Sequence, residues 1–364
     1  MLMGHGGNIH ALAARLGCPV EAICDMSSNV NPYGPPAGLM DHLQGDLDTL
    51  TALPEVDAAG MTRAFAQRHG LDAGTVLAGN GSTQLIYLLP AVMGWRRVAI
   101  AGPTYADYAD ACRQQDIGPT VVPARREEGF RPNLDILSKA ADTSDALFIC
   151  NPNNPTGVLL DREHLIALCA AHPKTHIIVD ESYLPFVPGA DGHSLLGSGL
   201  ANLLVLSSMS KIFRLPGLRI GFLHATEAVI DRLRPRMLPR SVNALAQSAV
   251  IYLMTQREET ERFVSGSCRR LNSARRAFYA ATAAIRGLDV FPSCTSFLLM
   301  RLGGKWTAAD VWSAMAEAHI LIRDCSNFEG LSERYIRISL KEEASNQRAA
   351  ELLSRMLSVD GGLP

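Results

Sequence analysis

Short apolar runs alternate with amphipathic stretches along most of the chain, and the rhythm changes near residue 244. Runs at 75–79, 97–101, 120–124, 146–150, 176–180, 203–207 and 220–224 carry consecutive apolar residues rather than apolar residues at every second position. That pattern predicts strands covered on both faces. Between them, 82–93, 105–115, 133–140 and 162–171 carry apolar residues at helical spacing. Strands alternating with helices predict an α/β domain built on a mostly parallel central sheet. A long helical stretch, about 244–286, follows. After it, strands at 296–301, 321–323 and 335–340 and helices at 308–318 and 342–357 predict a smaller α+β domain. Residues 1–35, rich in Gly, Asn and Pro, read as an arm over a site rather than a packed layer. The predicted organisation is an N-terminal arm (1–45), a large domain (46–243) and a small C-terminal domain (244–364).

Composition adds exclusions. The chain has 364 residues, 47% hydrophobic and 19% charged, which suits a globular protein of two domains. A net charge of -2 without long charge runs argues against nucleic acid or an anionic membrane surface as the main partner. The N-terminus lacks the basic start and apolar run of a signal peptide, and the longest apolar stretch, 85–95, is broken by Pro90. Eight scattered cysteines form no Cys-x-x-Cys pair. No metal centre is expected, and a reducing cytoplasm fits best.

The chemistry-bearing residues fall at the predicted strand ends, and an open parallel sheet binds ligands at its carboxyl edge. Lys211 follows an apolar run that ends in Ser207-Ser-Met-Ser210, and Arg219 lies eight residues on. Small hydroxyls and an arginine suit a phosphate. A lysine at a buried strand end suits a Schiff base, because desolvation frees its amine as a nucleophile. Pyridoxal 5'-phosphate (PLP) needs both features at once. Gly79-Asn-Gly81-Ser82-Thr83 opens a helix, either as a phosphate turn or as an ordinary capped turn. Asn151-Pro-Asn-Asn154-Pro-Thr-Gly157 fixes an irregular backbone from which Asn154 can present its amide. Asp180 is either a helix cap or the partner of a buried cation, with Tyr183 three residues on. Tyr105 is a ring-stacking residue or a core aromatic.

Taken in order, these motifs closely resemble the fold-type I PLP enzymes. The resemblance implies an aspartate-aminotransferase-like fold and a homodimer with its sites at the subunit interface. It implies Lys211 as the Schiff-base lysine, Asp180 on the pyridine nitrogen, and Asn154 and Tyr183 on the ring oxygen. Ser82, Thr83, Ser208, Ser210 and Arg219 would hold the phosphate. Asp25-Met-Ser-Ser-Asn29-Val-Asn31-Pro-Tyr-Gly34 resembles the arm of the histidinol-phosphate aminotransferase group. Gly4-His5-Gly6-Gly7-Asn8, Pro239-Arg-Ser-Val-Asn243 and Ile322-Arg323-Asp-Cys325 instead resemble the threonine-phosphate decarboxylases of cobalamin synthesis. The implied substrate is a small phosphorylated amino acid, threonine phosphate, with serine phosphate or a related compound as alternatives. His5, Gly6, Gly7, Asn8, Asn31, Asn154, Arg323 and Arg337 are its expected contacts. The two glycines allow close approach to an oxyanion, and arginine forks suit carboxylate or phosphate. One departure stands out. Related enzymes carry a tyrosine that reaches the neighbouring subunit's cofactor phosphate, and this chain has Leu53, in Ala52-Leu53-Pro54-Glu55.

Overall fold

The computed structural model describes residues 6–358. Helix α1 (Ile9–Leu16) and strand β1 (Cys24–Asp25) are followed by α2 (Ala37–Gly45) and α3 (Ala59–His69). The large domain then runs β2 (Val76–Asn80), α4 (Gly81–Met93), β3 (Val98–Gly102), α5 (Asp107–Arg113) and β4 (Thr120–Pro123). It continues α6 (Leu134–Asp142), β5 (Ala146–Cys150), α7 (Arg162–Ala171), β6 (His176–Asp180), β7 (Leu203–Ser208), β8 (Ile220–His224) and α8 (Glu227–Leu233). Helices α9 (Ala244–Thr255) and α10 (Arg257–Ala283) lead into β9 (Leu288–Val290), β10 (Phe297–Leu302) and α11 (Ala308–Glu317). The chain closes with β11 (Ile320–Leu321), β12 (Arg323–Asp324), β13 (Tyr335–Ser339) and α12 (Glu343–Ser358).

Seven strands form one sheet in the order β2-β8-β7-β6-β5-β3-β4. Its central strands are buried along almost their whole length: β5 is covered at every position, and β6 is covered from Ile177 to Asp180. This is why their sequences read as unbroken apolar runs. β8 runs antiparallel to both β2 and β7. The reversal matters for the site. The start of β8 lies beside the ends of its neighbours, pairing Ile220 with Asn80 and Gly221 with Ser208. Arg219, one residue earlier, therefore reaches the same edge as the Gly81 turn. On the other side, β5 and β4 flank β3, so consecutive connections diverge between β3 and β5. Such a switch point opens a crevice beyond the strand ends.

Three sequence expectations are corrected. The helical stretch 244–286 is two helices broken at Gln256, α9 packing on α3 and α10 on α12 and β9. The strand expected at 321–323 is two short strands serving different sheets: β11 pairs with β1, and β12 with β13. The arm is a packed layer. Leu12, Ala13 and Ile23 are buried with Ala316 and Leu321 of the small domain. The Arg15 guanidinium lies 4.7 Å above the Trp312 ring. Gly17 caps α1 in the left-handed conformation, so a Gly in this segment marks a helix end rather than flexibility.

Candidate active site

Asp180 ends β6 and is 4% exposed. Its Oδ2 accepts from the Tyr108 hydroxyl at 2.7 Å, and its Oδ1 accepts from the Ser182 backbone N–H at 2.9 Å. Burial pushes this carboxyl up, while those donors and the Lys211 cation pull it down. The neighbouring Glu181 points its charge elsewhere, onto Ser194 Oγ and Leu195 N, both at 2.7 Å. Burial raises it to about 7.

Lys211 follows β7. Burial and the cations Arg219 and Arg337 lower it to about 8, against the opposite pull of Asp180 and Asp107. An ordinary lysine is almost fully charged at neutral pH, whereas this one has a usable neutral fraction. The start of α4, which the sequence marks as a candidate phosphate turn, lies against Arg219. The Asn80 side chain makes no capping bond, and of the first-turn N–H groups of this 13-residue helix that of Gly81 donates to the Arg219 carbonyl at 3.0 Å. Gly81 has φ +78°, and a Cβ there would lie 2.6 Å from Arg219 Nη2. A Cβ on Gly221 would lie 2.2 Å from the Ser82 nitrogen. Both glycines are needed so that strand, helix start and guanidinium can close together. Arg219 itself sits at φ 59°, an uncommon conformation for a residue with a side chain. Ser208 and Ser210 are buried, and both hydroxyls donate to the Ile220 carbonyl, at 3.4 and 3.3 Å. Ser210 Oγ also accepts from Ile220 N at 3.2 Å. Ser210 thus orders the β8 backbone next to Arg219.

At the switch point, Tyr105 stands edge-on to Tyr108, ring centroids 5.7 Å apart. Its phenol is pushed far up by burial and by Asp107, and it also engages Thr83. Tyr183 is buried, and its hydroxyl accepts from Asn29 Nδ2 at 3.2 Å. Burial raises it to about 12. Asn154 is 5% exposed, and its Oδ1 accepts from Arg337 Nη1.

Arg337 is itself 5% exposed. Its Nη2 donates to the Ser27 carbonyl at 2.6 Å, and its Nε has no partner. Among the described residues its bonds go to neutral oxygens, an unusual condition for a buried cation. Arg323 pairs directly with Arg337 across β12 and β13, stacks 5.2 Å from the Phe328 ring and donates to Asn327 Oδ1 at 2.7 Å. Two like charges opposite each other on one sheet face repel. The arm meets this wall at Ser27. Gly7 N donates to Ser27 Oγ at 2.7 Å, and a Cβ on Gly6 would lie 2.7 Å from the Ser27 carbonyl oxygen.

Two expected substrate contacts are placed differently. Asn31 is fully buried, donating to Ile212 O and Ser267 Oγ at 2.8 and 2.9 Å and accepting from Tyr33 N. It ties the Lys211 loop, the arm and α10 together. Asn8 is exposed and caps α1 through Ala11 N at 3.2 Å. His5 lies outside the described residues. Sequence reasoning also passed over several residues. Tyr108 carries no motif signal beyond its place three residues after Tyr105. Asn29 links Tyr183 to Ser339 of β13, and its signal was its place in Asn29-Val-Asn31. Ser27 and Lys341 join the arm to the small domain, Lys341 Nζ donating to Ser28 O at 3.2 Å.

A buried lysine lowered to about 8 after a strand end, a buried aspartate at the end of the neighbouring strand, a glycine turn against Arg219 and the Tyr183 and Asn154 side chains make a donor set that fits PLP. The comparisons agree. The family model for aminotransferase class I and II matches residues 21–353, and the chain belongs to that family. Threonine-phosphate decarboxylase of Salmonella typhimurium is 32% identical, over 97% of this chain and 96% of its own. Histidinol-phosphate aminotransferase of Paracoccus denitrificans is 26% identical, over 93% of this chain and 90% of its own. The crystal structure of L-threonine-O-3-phosphate decarboxylase from Porphyromonas gingivalis superposes with a TM-score of 0.82 at 31% identity. It covers 92% of this chain and 99% of that one. The protein has the aspartate-aminotransferase-like fold and is a PLP-dependent enzyme. No helix among the described residues is long and apolar enough to cross a membrane.

Proposed function

We propose that the enzyme decarboxylates L-threonine O-3-phosphate to (R)-1-amino-2-propanol O-2-phosphate, a step of cobalamin synthesis. The observation that supports this best is the arginine wall. Arg337 and Arg323 stand opposite each other with Arg337 bonded to neutral oxygens, which suits a substrate with two anionic ends. A carboxylate replacing the Ser27 carbonyl would turn a neutral bond into a charge-assisted, two-pronged one. Arg323 would take the phosphate, with the Gly6–Gly7 turn, held on Ser27, close beside it.

Bound at this edge, PLP supplies a sink for the electron pair left when a bond to Cα breaks. Lys211 would hold it covalently, Asp180 would face its ring nitrogen, and Asn154 and Tyr183 its ring oxygen. The Gly81 turn, Ser82, Thr83, Ser208 and Arg219 would hold its phosphate, with Ser210 ordering the strand behind them. A substrate gripped at both anionic ends by Arg337 and Arg323 would have its rotation about Cα restricted, and decarboxylation requires that the pose so held present the carboxylate bond for cleavage. The Lys211 amine, when not bonded to the cofactor, would be the group placed to carry a proton to Cα. A lysine near 8 has both forms available around neutral pH. The sum is one substrate and one proton giving CO2 and the amine phosphate, with no keto acid consumed.

We also place a second copy of the chain against the exposed apolar segment of Leu47, Leu50, Leu53, Val56 and Leu238. Val56 and Leu238 lie together through the bond from Arg240 N to Val56 O at 2.8 Å. Leu53, 78% exposed, offers such a partner an apolar contact where related enzymes offer a hydroxyl.

The test is CO2 release from PLP-loaded enzyme given threonine phosphate without keto acid. Glutamate appearing from histidinol phosphate only when 2-oxoglutarate is supplied, with no CO2 release, would replace the proposal with the aminotransferase reading that the 26% relative represents.

A further inference from the structure

We propose that Tyr108 is a positioning residue for the cofactor: its hydroxyl, fixed on Asp180, keeps that carboxylate charged against the proton of the ring nitrogen. The proposal rests on Asp180 being the ring-nitrogen partner. It does not depend on which amino acid the enzyme consumes.

The geometry carries it. Tyr108 is 1% exposed, so its hydroxyl cannot exchange partners with water. It stacks on Phe148 of β5 at 5.3 Å with an interplanar angle of 21°, and Tyr105 stands edge-on to it at 85°. These two contacts aim the phenol, and the 2.7 Å bond to Asp180 Oδ2 is where it points. The Asp180 environment explains the need. A carboxylate this deeply buried is pushed toward its neutral form, in which it could not stabilise a neighbouring positive charge. Two donors, Tyr108 Oη and Ser182 N, one on each oxygen, oppose that. The Ser182 bond comes from the backbone and follows from the turn after β6. The Tyr108 bond comes from a different element, α5, and is the one a side-chain change can remove. The other charged or titratable groups around this pair are Lys211, Cys150, Glu181 and Tyr183; the Glu181 carboxyl accepts from Ser194 and Leu195, and burial raises the Tyr183 phenol to about 12, so it stays neutral. Burial raises the Cys150 thiol to about 12, so it stays neutral. Lys211 would be covalently committed in the loaded enzyme. Tyr108 is then the side-chain donor that continues to stabilise the negative form of Asp180.

The experiment is Tyr108→Phe in the holoenzyme reconstituted with PLP labelled with nitrogen-15 in the ring, read by NMR without substrate. Wild-type enzyme should show a protonated ring nitrogen. In the variant the proton should shift toward Asp180, lowering the ratio of protonated to neutral nitrogen about tenfold, the effect of losing one hydrogen bond to a charged group. The PLP dissociation constant should rise several-fold alongside. Phe148→Leu is the control, because it removes one of the two ring contacts and keeps the hydroxyl and the Tyr105 contact; it should move the nitrogen signal less than Tyr108→Phe does. Three results would overturn the proposal. One is an unchanged nitrogen signal in a folded Tyr108→Phe enzyme. Another is an equal displacement in Phe148→Leu, which would assign the effect to packing. The third is a neutral ring nitrogen in the wild type, which would remove the Asp180 assignment itself. None of these results bears on CO2 release, so the decarboxylase proposal stands or falls separately.

Discussion

The two walls of the site are built differently. The edge of the seven-stranded sheet carries Asp180, Lys211, Ser208 and the Gly81 turn, each at or just beyond a strand end and each backed by buried strands. The opposite wall gathers Ser27 from the arm, Asn154 from a loop and Arg323 and Arg337 from the small sheet. In the first wall, burial moves ionisations: Lys211 down to about 8 and Asp180 up. In the second, burial lowers both arginines as well, and the partners of Arg337 are provisional, a carbonyl and an amide oxygen that an anion can replace. The sheet edge is suited to chemistry that does not change from one substrate to another, and the composite wall to choosing the substrate.

Lys211→Ala breaks the first wall and has the largest expected effect. It removes both the covalent hold and the group placed to move a proton, and proton transfer alone accounts for about 10²–10⁴-fold in rate. Turnover should fall by at least that, and the purified protein should lose its yellow absorbance. The ionisation gives a finer version. The neutral amine captures the cofactor, and its fraction falls about tenfold for each pH unit below the folded pKa. The rate at which apoenzyme captures PLP should therefore climb from pH 6 and level off near 8, where Lys211 titrates. A profile that kept climbing toward an ordinary lysine pKa would contradict the burial argument.

Arg337→Lys addresses the second wall. Lysine keeps the charge but cannot reach the Ser27 carbonyl and Asn154 Oδ1 with two parallel donors. Losing one charge-assisted bond costs about 1.5–3 kcal/mol, roughly 10–100-fold in kcat/KM. The loss should appear with the cofactor spectrum unchanged. A changed spectrum would mean the two walls are not separable, which their shared contact at Asn154 makes worth checking.

The same difference decided what the sequence could reveal. The first wall is short in sequence: a strand that is buried on both faces announces itself as an apolar run, and the residue after it is marked by position alone. Asp180, Lys211 and the Gly81 turn were legible for that reason, and Asn154 by its Asn-Pro string in the loop after β5. Tyr108 was not, because its role comes from α5 packing across β5, and helical spacing makes an aromatic there read as core. The second wall was legible only as residue types. Arg323 and Arg337 stood out as forks near strand ends, but their facing register is a property of the sheet. Asn31 shows the limit. Its motif marked it as a site residue, yet its amide is used by Ile212, Ser267 and Tyr33. An Asn in a conserved-looking string can hold the loop that holds the lysine. The arm misled in the other direction, since Gly and Asn read as flexibility where Gly17 and Asn8 end and begin a helix.

Asn8 gives the smallest effect and the sharpest test of the boundary between the walls. In this structure it caps α1, its Oδ1 accepting from Ala11 N, with the side chain exposed. The sequence reading made it a donor to the substrate oxyanion. Removing a cap costs about 1 kcal/mol, so Asn8→Ala should lower stability by that much under either reading. Asn8→Asp separates them. Aspartate caps a helix as well as asparagine does and adds favourable charge at the N-terminus of α1. If Asn8 only caps, Asn8→Asp should match or slightly exceed wild-type stability with KM for the phosphorylated substrate unchanged. If its amide donates to the substrate phosphate, the new carboxylate would face a like charge, and KM should rise steeply while stability holds. The exposed placement favours the first outcome, and with it an arm whose contribution to binding comes through Gly6, Gly7 and Ser27 rather than through the helix that follows.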